Sequence, residues 1–255
     1  MACGGSSARR RPHDSRVTPR SAIRIERVSL ALAEDLLPAV ARFYLDELGL
    51  EGEVRGRTLR LAVGPATLGF EAQAGIRRPF YHLALLVPGN RFEAARAWLD
   101  SHAALLARPG GHETVFDFEA WDARACYAHD PASNILELIA HHGLAVSPES
   151  GCLAPGELRG ISEIGVVTAD PPAALERLRS AGLELWSGEA SDRPTALGFV
   201  GRKAHTLILC PPGRPWLPTG RPAETHPLEV LLGADGSPAI TVRVDQGHAL
   251  EVSTV

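Results

Sequence analysis

The chain has 255 residues, 45% of them hydrophobic, 22% charged and 5% aromatic, which is ordinary globular material able to bury one large core or two modest ones. A formal net charge of −4 offers no basic face for phosphate neutralisation, so nucleic acid is not an expected partner. No stretch approaches the roughly 18 apolar residues of a membrane span, and the N-terminus lacks the apolar core of a secretory signal, so the expectation is a cytoplasmic protein without a membrane partner.

In chain order, residues 1–21 carry Arg9, Arg10, Arg11, Arg16 and Arg20 among Ser, Gly and Pro with no apolar period, which predicts a disordered tail. Cys3, Cys126, Cys152 and Cys210 form no Cys-x-x-Cys pair and are read as free thiols. Three segments then repeat one another. Arg27–Glu34 reads as a strand followed by a helix over 35–49, and His82–Gly89 as a strand followed by an amphipathic run from Arg91 to Leu105. Glu163–Asp170 reads as a strand followed by a helix over 171–182. Arg27, His82 and Glu163 hold the same place in this alignment. Gly49 and Gly182 supply helix stops.

After each helix the apolar period changes to two. Residues 54–62 and 66–72 predict one strand pair; 113–118, 123–128 and 134–140 predict three strands. In the last unit, strands are expected near 195–200, 205–210, 227–232 and 239–244. The fold class is therefore α+β, with tandem βαβββ modules at 22–76 and 77–145, paired with each other. A Ser/Pro/Gly-rich linker covers 146–157, and a third related unit covers 158–255.

The second module carries the most specific pattern. Tyr81-His82-Leu-Ala-Leu-Leu-Val87, Trp98-Leu99-Asp100 and Tyr127-Ala-His-Asp130-Pro131-Ala-Ser-Asn134-Ile-Leu-Glu137-Leu138 resemble the vicinal-oxygen-chelate superfamily of glyoxalases, bleomycin-resistance proteins and extradiol dioxygenases. The resemblance implies mixed sheets curved into a cup. It implies a divalent metal (Fe, Mn, Ni or Zn) at the floor, held by a strand-opening His and a strand-ending Glu, here His82 and Glu137, with Glu137 also the catalytic carboxylate. The implied activity is a metal-dependent lyase or ring-cleaving dioxygenase acting on a small molecule with vicinal oxygens. The alternative is a bleomycin-resistance-like protein that binds a small ligand without turnover over a degenerate metal site. Family members pair modules within or between chains, which leaves a homodimer open.

The residues support part of this. A carboxylate on the strand face of Ile135 and Ile139 is expensive to bury unless paired or metal-bound. His82, on the face of Phe80, Ala84 and Leu86, is equally readable as a core histidine bonded to backbone. Two positions depart from the pattern. Arg27 stands where the first module should supply its His, and a guanidinium cannot ligate a metal. Gly69 stands opposite Glu137, with Glu71 two residues on. Glu71, His112, Asp122 and His129 remain as further ligand candidates. An arginine facing Glu137 would form a charge-assisted pair, and Arg27, or Arg124 on the strand 123–128, would then hold an anionic substrate. Trp121-Asp122 is read as a core cap or a pocket mouth. Trp216, in Gly213-Arg-Pro-Trp216, is read as a plug between the third unit and the others. His141-His142 is read as solvated, and Glu229 as an echo of Glu137.

Overall fold

The computed structural model describes residues 23–245 and 249–254. The tail expected over 1–21 and Cys3 lie outside the described residues. Cys126 and Cys210 are buried free thiols, and Cys152 is an exposed one. Among the described residues, no helix is long and apolar enough to cross a membrane.

The first unit opens with β1 (Arg24–Ala33). A 3₁₀ turn over Glu34–Leu36 then leads into α1 (Leu37–Ala41) and a π-helical turn over Arg42–Glu47. The wide turn is closed by Leu48 N–H donating to the Phe43 carbonyl at 2.8 Å, and Gly49 at φ 69° stops the helix as expected. Next come β2 (Gly52–Arg55), β3 (Thr58–Val63) and β4 (Ala66–Gln73). The single strand expected over 54–62 is thus a hairpin. Gly56, at φ 60°, makes its two-residue turn with Arg57, a conformation that glycine adopts without penalty.

The second unit is β5 (His82–Val87), α2 (Phe92–Asp100), β6 (Phe116–Phe118), β7 (Ala123–His129) and β8 (Ile135–His141). The third is β9 (Gly160–Val167), α3 (Pro171–Ser180), β10 (Leu185–Gly188), β11 (Gly198–Arg202) and β12 (His205–Cys210). In each unit the first and last strands pair in parallel. The third unit is therefore complete by Cys210. The chain then adds a half-unit of three antiparallel strands, β13 (Leu228–Ala234), β14 (Ser237–Val244) and β15 (Leu250–Thr254).

The units join differently from the sequence expectation. A seven-stranded sheet runs β15-β14-β13-β1-β4-β3-β2, and an eight-stranded sheet runs β10-β11-β12-β9-β5-β8-β7-β6. Unit two is thus paired with unit three across the antiparallel β5–β9 seam, and unit one with the half-unit across β1–β13. The reason lies in the segment read as a plain linker. Arg91, at the start of α2, forms a buried ion pair with Glu157 at 2.9 Å, Ser147 donates to the same carboxylate, and Arg159 N–H donates to the Leu86 carbonyl. These bonds pin the linker along unit two and deliver β9 to the free edge of β5.

The sheets share one core. Leu30, Leu68 and Phe70 of the seven-stranded sheet belong to the same buried cluster as Leu85, Leu138 and Val166 of the eight-stranded sheet. α2 packs on β7 and β8, and α3 packs on β12 and β15. β5, β8 and β9 are buried at every position, as expected for strands covered on both faces. Their second face belongs to a separate cluster containing Ala84, Ile135, Ile139 and Trp216. That face carries the candidate site.

Candidate functional site

His82 opens β5 and Glu137 is the third residue of β8. The two strands are parallel neighbours, with Ala84 opposite Glu137, so both side chains lie on the concave face. The Asp-Pro-x-x-Asn turn before β8 fixes this placement. Buried Asp130 accepts hydrogen bonds from the backbone N–H groups of Ala132 and Asn134, from Asn134 Nδ2 and from the Tyr44 hydroxyl, all at 2.8–3.0 Å. Asn134 Oδ1 in turn accepts from Tyr81 N–H at 2.8 Å, one residue before His82. The turn therefore holds β5 and β8 in the register that brings His82 Nε2 to 2.9 Å from Glu137 Oε2.

Glu163, on β9, completes the floor. It pairs with Ala84 across the seam, which places it beside Glu137 from the other direction. His82, Glu137 and Glu163 are 5%, 2% and 3% exposed. Burial, and then the Glu137 charge, push the Glu163 carboxyl well above the usual carboxylate range, and its Oε1 has no hydrogen-bond partner among the described residues. Burial first and the same Glu137 charge second also raise the Tyr127 phenol. Because Gly165 on β9 corresponds to Ala84 on β5, the place matching Glu137 in the third unit is its β12 partner Ile208, which carries no ligating atom.

Above the floor lies a cavity of about 300 Å³ whose walls include Phe118, Trp121, Tyr127, Phe199 and Trp216, with Arg214 also among its lining residues. Trp121 packs edge to face on Phe199 with centroids 4.4 Å apart, so it is a pocket wall. Trp216 stacks on the His82 ring at 5.1 Å and 9°. Its indole occupies the space above Gly165, where an added Cβ would lie 2.9 Å away. It thus plugs the seam between units two and three, as the sequence suggested. A larger depression of about 930 Å³ follows residues 73–78 and 221–227; none of its lining residues lines the cup.

The other expected site residues do not join this cup. Arg27 lies on the seven-stranded sheet, where it pairs with Glu229 at 3.1 Å, and it makes no pair with Glu137. The two residues occupy different sheets because unit one is not unit two's partner. Arg243 pairs with the same Glu229. Glu229, opposite Ser29 across the β1–β13 seam, therefore matches Glu163 and not Glu137. Arg124 lies on the helix-covered face of β7, bonded to Glu93 of α2 at 2.7 Å and to Asp117 at 3.2 Å. Strand alternation turns it away from the cup side occupied by Tyr127. None of Glu71, His112, Asp122 and His129 lines the cup. His141, read as solvated, is fully buried, and burial, helped by the Lys203 charge, lowers its pKa to about 4.

As arranged, the floor falls short of the metal centre that the resemblance implies. His82 and Glu137 bond to each other, Ile208 occupies the fourth place, and among the described residues no three His, Cys, Asp or Glu side chains form a metal-binding group. A centre would require Glu163 to turn toward the His82–Glu137 pair.

No protein-family model and no curated protein matches the chain. Solved structures do. A provisionally assigned dioxygenase from Bacillus subtilis aligns with a TM-score of 0.57 at 14% identity, over 92% of this chain and 85% of that one. Glyoxalase I from Zea mays aligns with a TM-score of 0.51 at 12% identity, over 91% of this chain and 92% of that one. At such identities the likeness speaks for architecture alone, and in architecture the chain shares the fold of these glyoxalase and dioxygenase structures.

Proposed function

We propose that this glyoxalase/dioxygenase-like protein binds one small, planar, oxygen-bearing molecule in the cup of the eight-stranded sheet, over a floor that exchanges protons with it. One observation carries the reading. Three ionisable side chains from three strands converge, almost fully buried, beneath an aromatic-walled cavity of about 300 Å³. An apolar pocket with a few convergent polar groups is the usual form of a small-molecule site.

We read the roles from the environments of these groups. Glu163, whose carboxyl burial and then its neighbour's charge push well above the usual range, is the donor toward a ligand oxygen. The His82–Glu137 pair is the acceptor. Trp216 fixes the His82 ring by stacking on it. Ligand-dependent thermal stabilisation, screened over planar phenols, quinones and hydroxy acids, tests the reading. Hits whose stabilisation disappears in Glu163→Gln or Trp121→Asp support it; no hit across the screen, or hits unaffected by both substitutions, overturns it.

A second reading, a divalent metal held by His82, Glu137 and Glu163, draws on the unpartnered Glu163 Oε1. Elemental analysis showing about one divalent ion per chain, lost in His82→Ala, supports this reading, whereas metal-free protein that still binds ligand refutes it.

A further inference from the structure

Arg214 is a cation in the cup with no carboxylate partner among the described residues. It lines the cavity. Its guanidinium donates to the carbonyl of the adjacent Pro215, at 2.9 Å, and its Nε is buried without a hydrogen-bond partner among the described residues. The Trp216 ring lies 5.8 Å from the guanidinium carbon. Burial lowers the pKa of Arg214, opposed by the Cys210 thiol rather than by any carboxylate. A partly desolvated guanidinium without an anion is an unfavourable arrangement for a protein to maintain.

The segment bearing Arg214 is nevertheless held firmly. Gly213 N–H donates to the Ala223 carbonyl and Ala223 N–H to the Arg214 carbonyl, each at 2.7 Å. Trp216 N–H donates to the Arg221 carbonyl at 2.9 Å, and Pro215 and Pro222 bridge the two sides. This short ladder positions Arg214 on one wall while Trp216 covers the floor, so the cation is preorganised before any ligand arrives. The floor presents the opposite character, with the carboxyl groups of Glu137 and Glu163.

We infer that Arg214 is the anion-recognition group of the cup, and that the ligand is a planar molecule with a carboxylate at one end and a hydroxyl or carbonyl oxygen at the other. The carboxylate meets the Arg214 fork, the rings lie between Trp121, Phe199 and Trp216, and the oxygen end meets Glu163 and His82. This rests on the reading of the cup as the ligand site and adds the chemical class to it. Arginine suits the task because its planar fork matches both oxygens of a carboxylate.

The test is calorimetric titration of the full chain with 6-hydroxy-2-naphthoate and with its uncharged carboxamide. The acid is expected to bind about tenfold or more tightly than the amide. That preference should disappear in Arg214→Gln and persist in weakened form in Arg214→Lys, which keeps the charge without the fork. Equal affinity for acid and amide, both lost in Trp121→Asp, leaves the cup as the binding site and overturns the role of Arg214. An acid preference that survives in Arg214→Gln overturns it as well. Binding of neither probe to the wild type counts against both the cup reading and the inference. Should Arg214→Gln lose its fold by circular dichroism, the wild-type acid-to-amide ratio and the Arg214→Lys titration still decide.

Discussion

Replacing Glu163 with glutamine removes a buried carboxyl that the structure holds well above the usual range. A carboxyl with a folded pKa above its unfolded value, about 4.3, stabilises the fold fully below that unfolded value. The contribution is lost as pH rises through the folded pKa, because the unfolded chain releases the proton that the folded chain retains. One proton is involved, so wild-type stability falls by about 1.4 kcal/mol per pH unit inside that window. For a chain of this length that slope corresponds to roughly 3–6 °C in Tm per pH unit. The amide keeps the shape and cannot ionise. Groups titrating in both proteins cancel in the difference, and urea unfolding of both at pH 5, 6, 7 and 8 isolates the Glu163 contribution. The stability of Glu163→Gln relative to wild type should rise with pH and level off once the folded carboxyl ionises. An offset that does not change from pH 5 to 8 would refute the assignment of Glu163 as the proton-holding acid.

Arg27→Leu should change stability by less than about 1 kcal/mol, since its pair with Glu229 is half exposed, and should leave ligand binding in the cup unchanged; chemical denaturation and titration check both. Gly165→Ala introduces a Cβ about 3 Å from the Trp216 indole, so overpacking should destabilise the fold by about 1–3 kcal/mol and shift tryptophan emission as the indole is displaced. Asp130→Ala leaves the two N–H groups, the Asn134 amide and the Tyr44 hydroxyl without their acceptor. At about 1–3 kcal/mol for each stranded buried group, the expected outcome is protein that melts far lower or is recovered only as aggregate.

The repeated unit is legible in the sequence because first strands and helices impose periods that survive sequence divergence: Arg27, His82 and Glu163 can be set in register without any structure. The same register makes Gly69 the counterpart of Glu137, and β4 places it there. Which unit pairs with which is not legible, because a first strand carries the same apolar run whichever neighbour it meets. The choice is made by long-range bonds such as Arg91 to Glu157, whose residues look like ordinary surface charges in a linear reading. From that one ambiguity comes the expected Arg27–Glu137 pair, which the separation into two sheets rules out. Arg124 departs from expectation for a local reason. Its strand alternation is visible in the sequence, but which face α2 covers is not. Glu163 stands out in the alignment only as a carboxylate at the His position, which fits no complete ligand set. Its importance emerges when the β5–β9 seam brings it beside Glu137. Arg214 gives no sequence signal beyond its Gly/Pro-rich loop, since the lack of a partner is a property of three-dimensional packing.

The central claim is that ligand binds over His82, Glu137 and Glu163, between Trp121 and Trp216. Indole N–H resonances report on it directly, because the chain has four tryptophans, two of which line the cup, while Trp98 lies on α2 and packs on the shared core side. Titrating isotopically labelled protein with 6-hydroxy-2-naphthoate should move the Trp121 and Trp216 signals together and leave Trp98 in place. Movement of Trp98 with Trp121 and Trp216 unchanged would contradict the account.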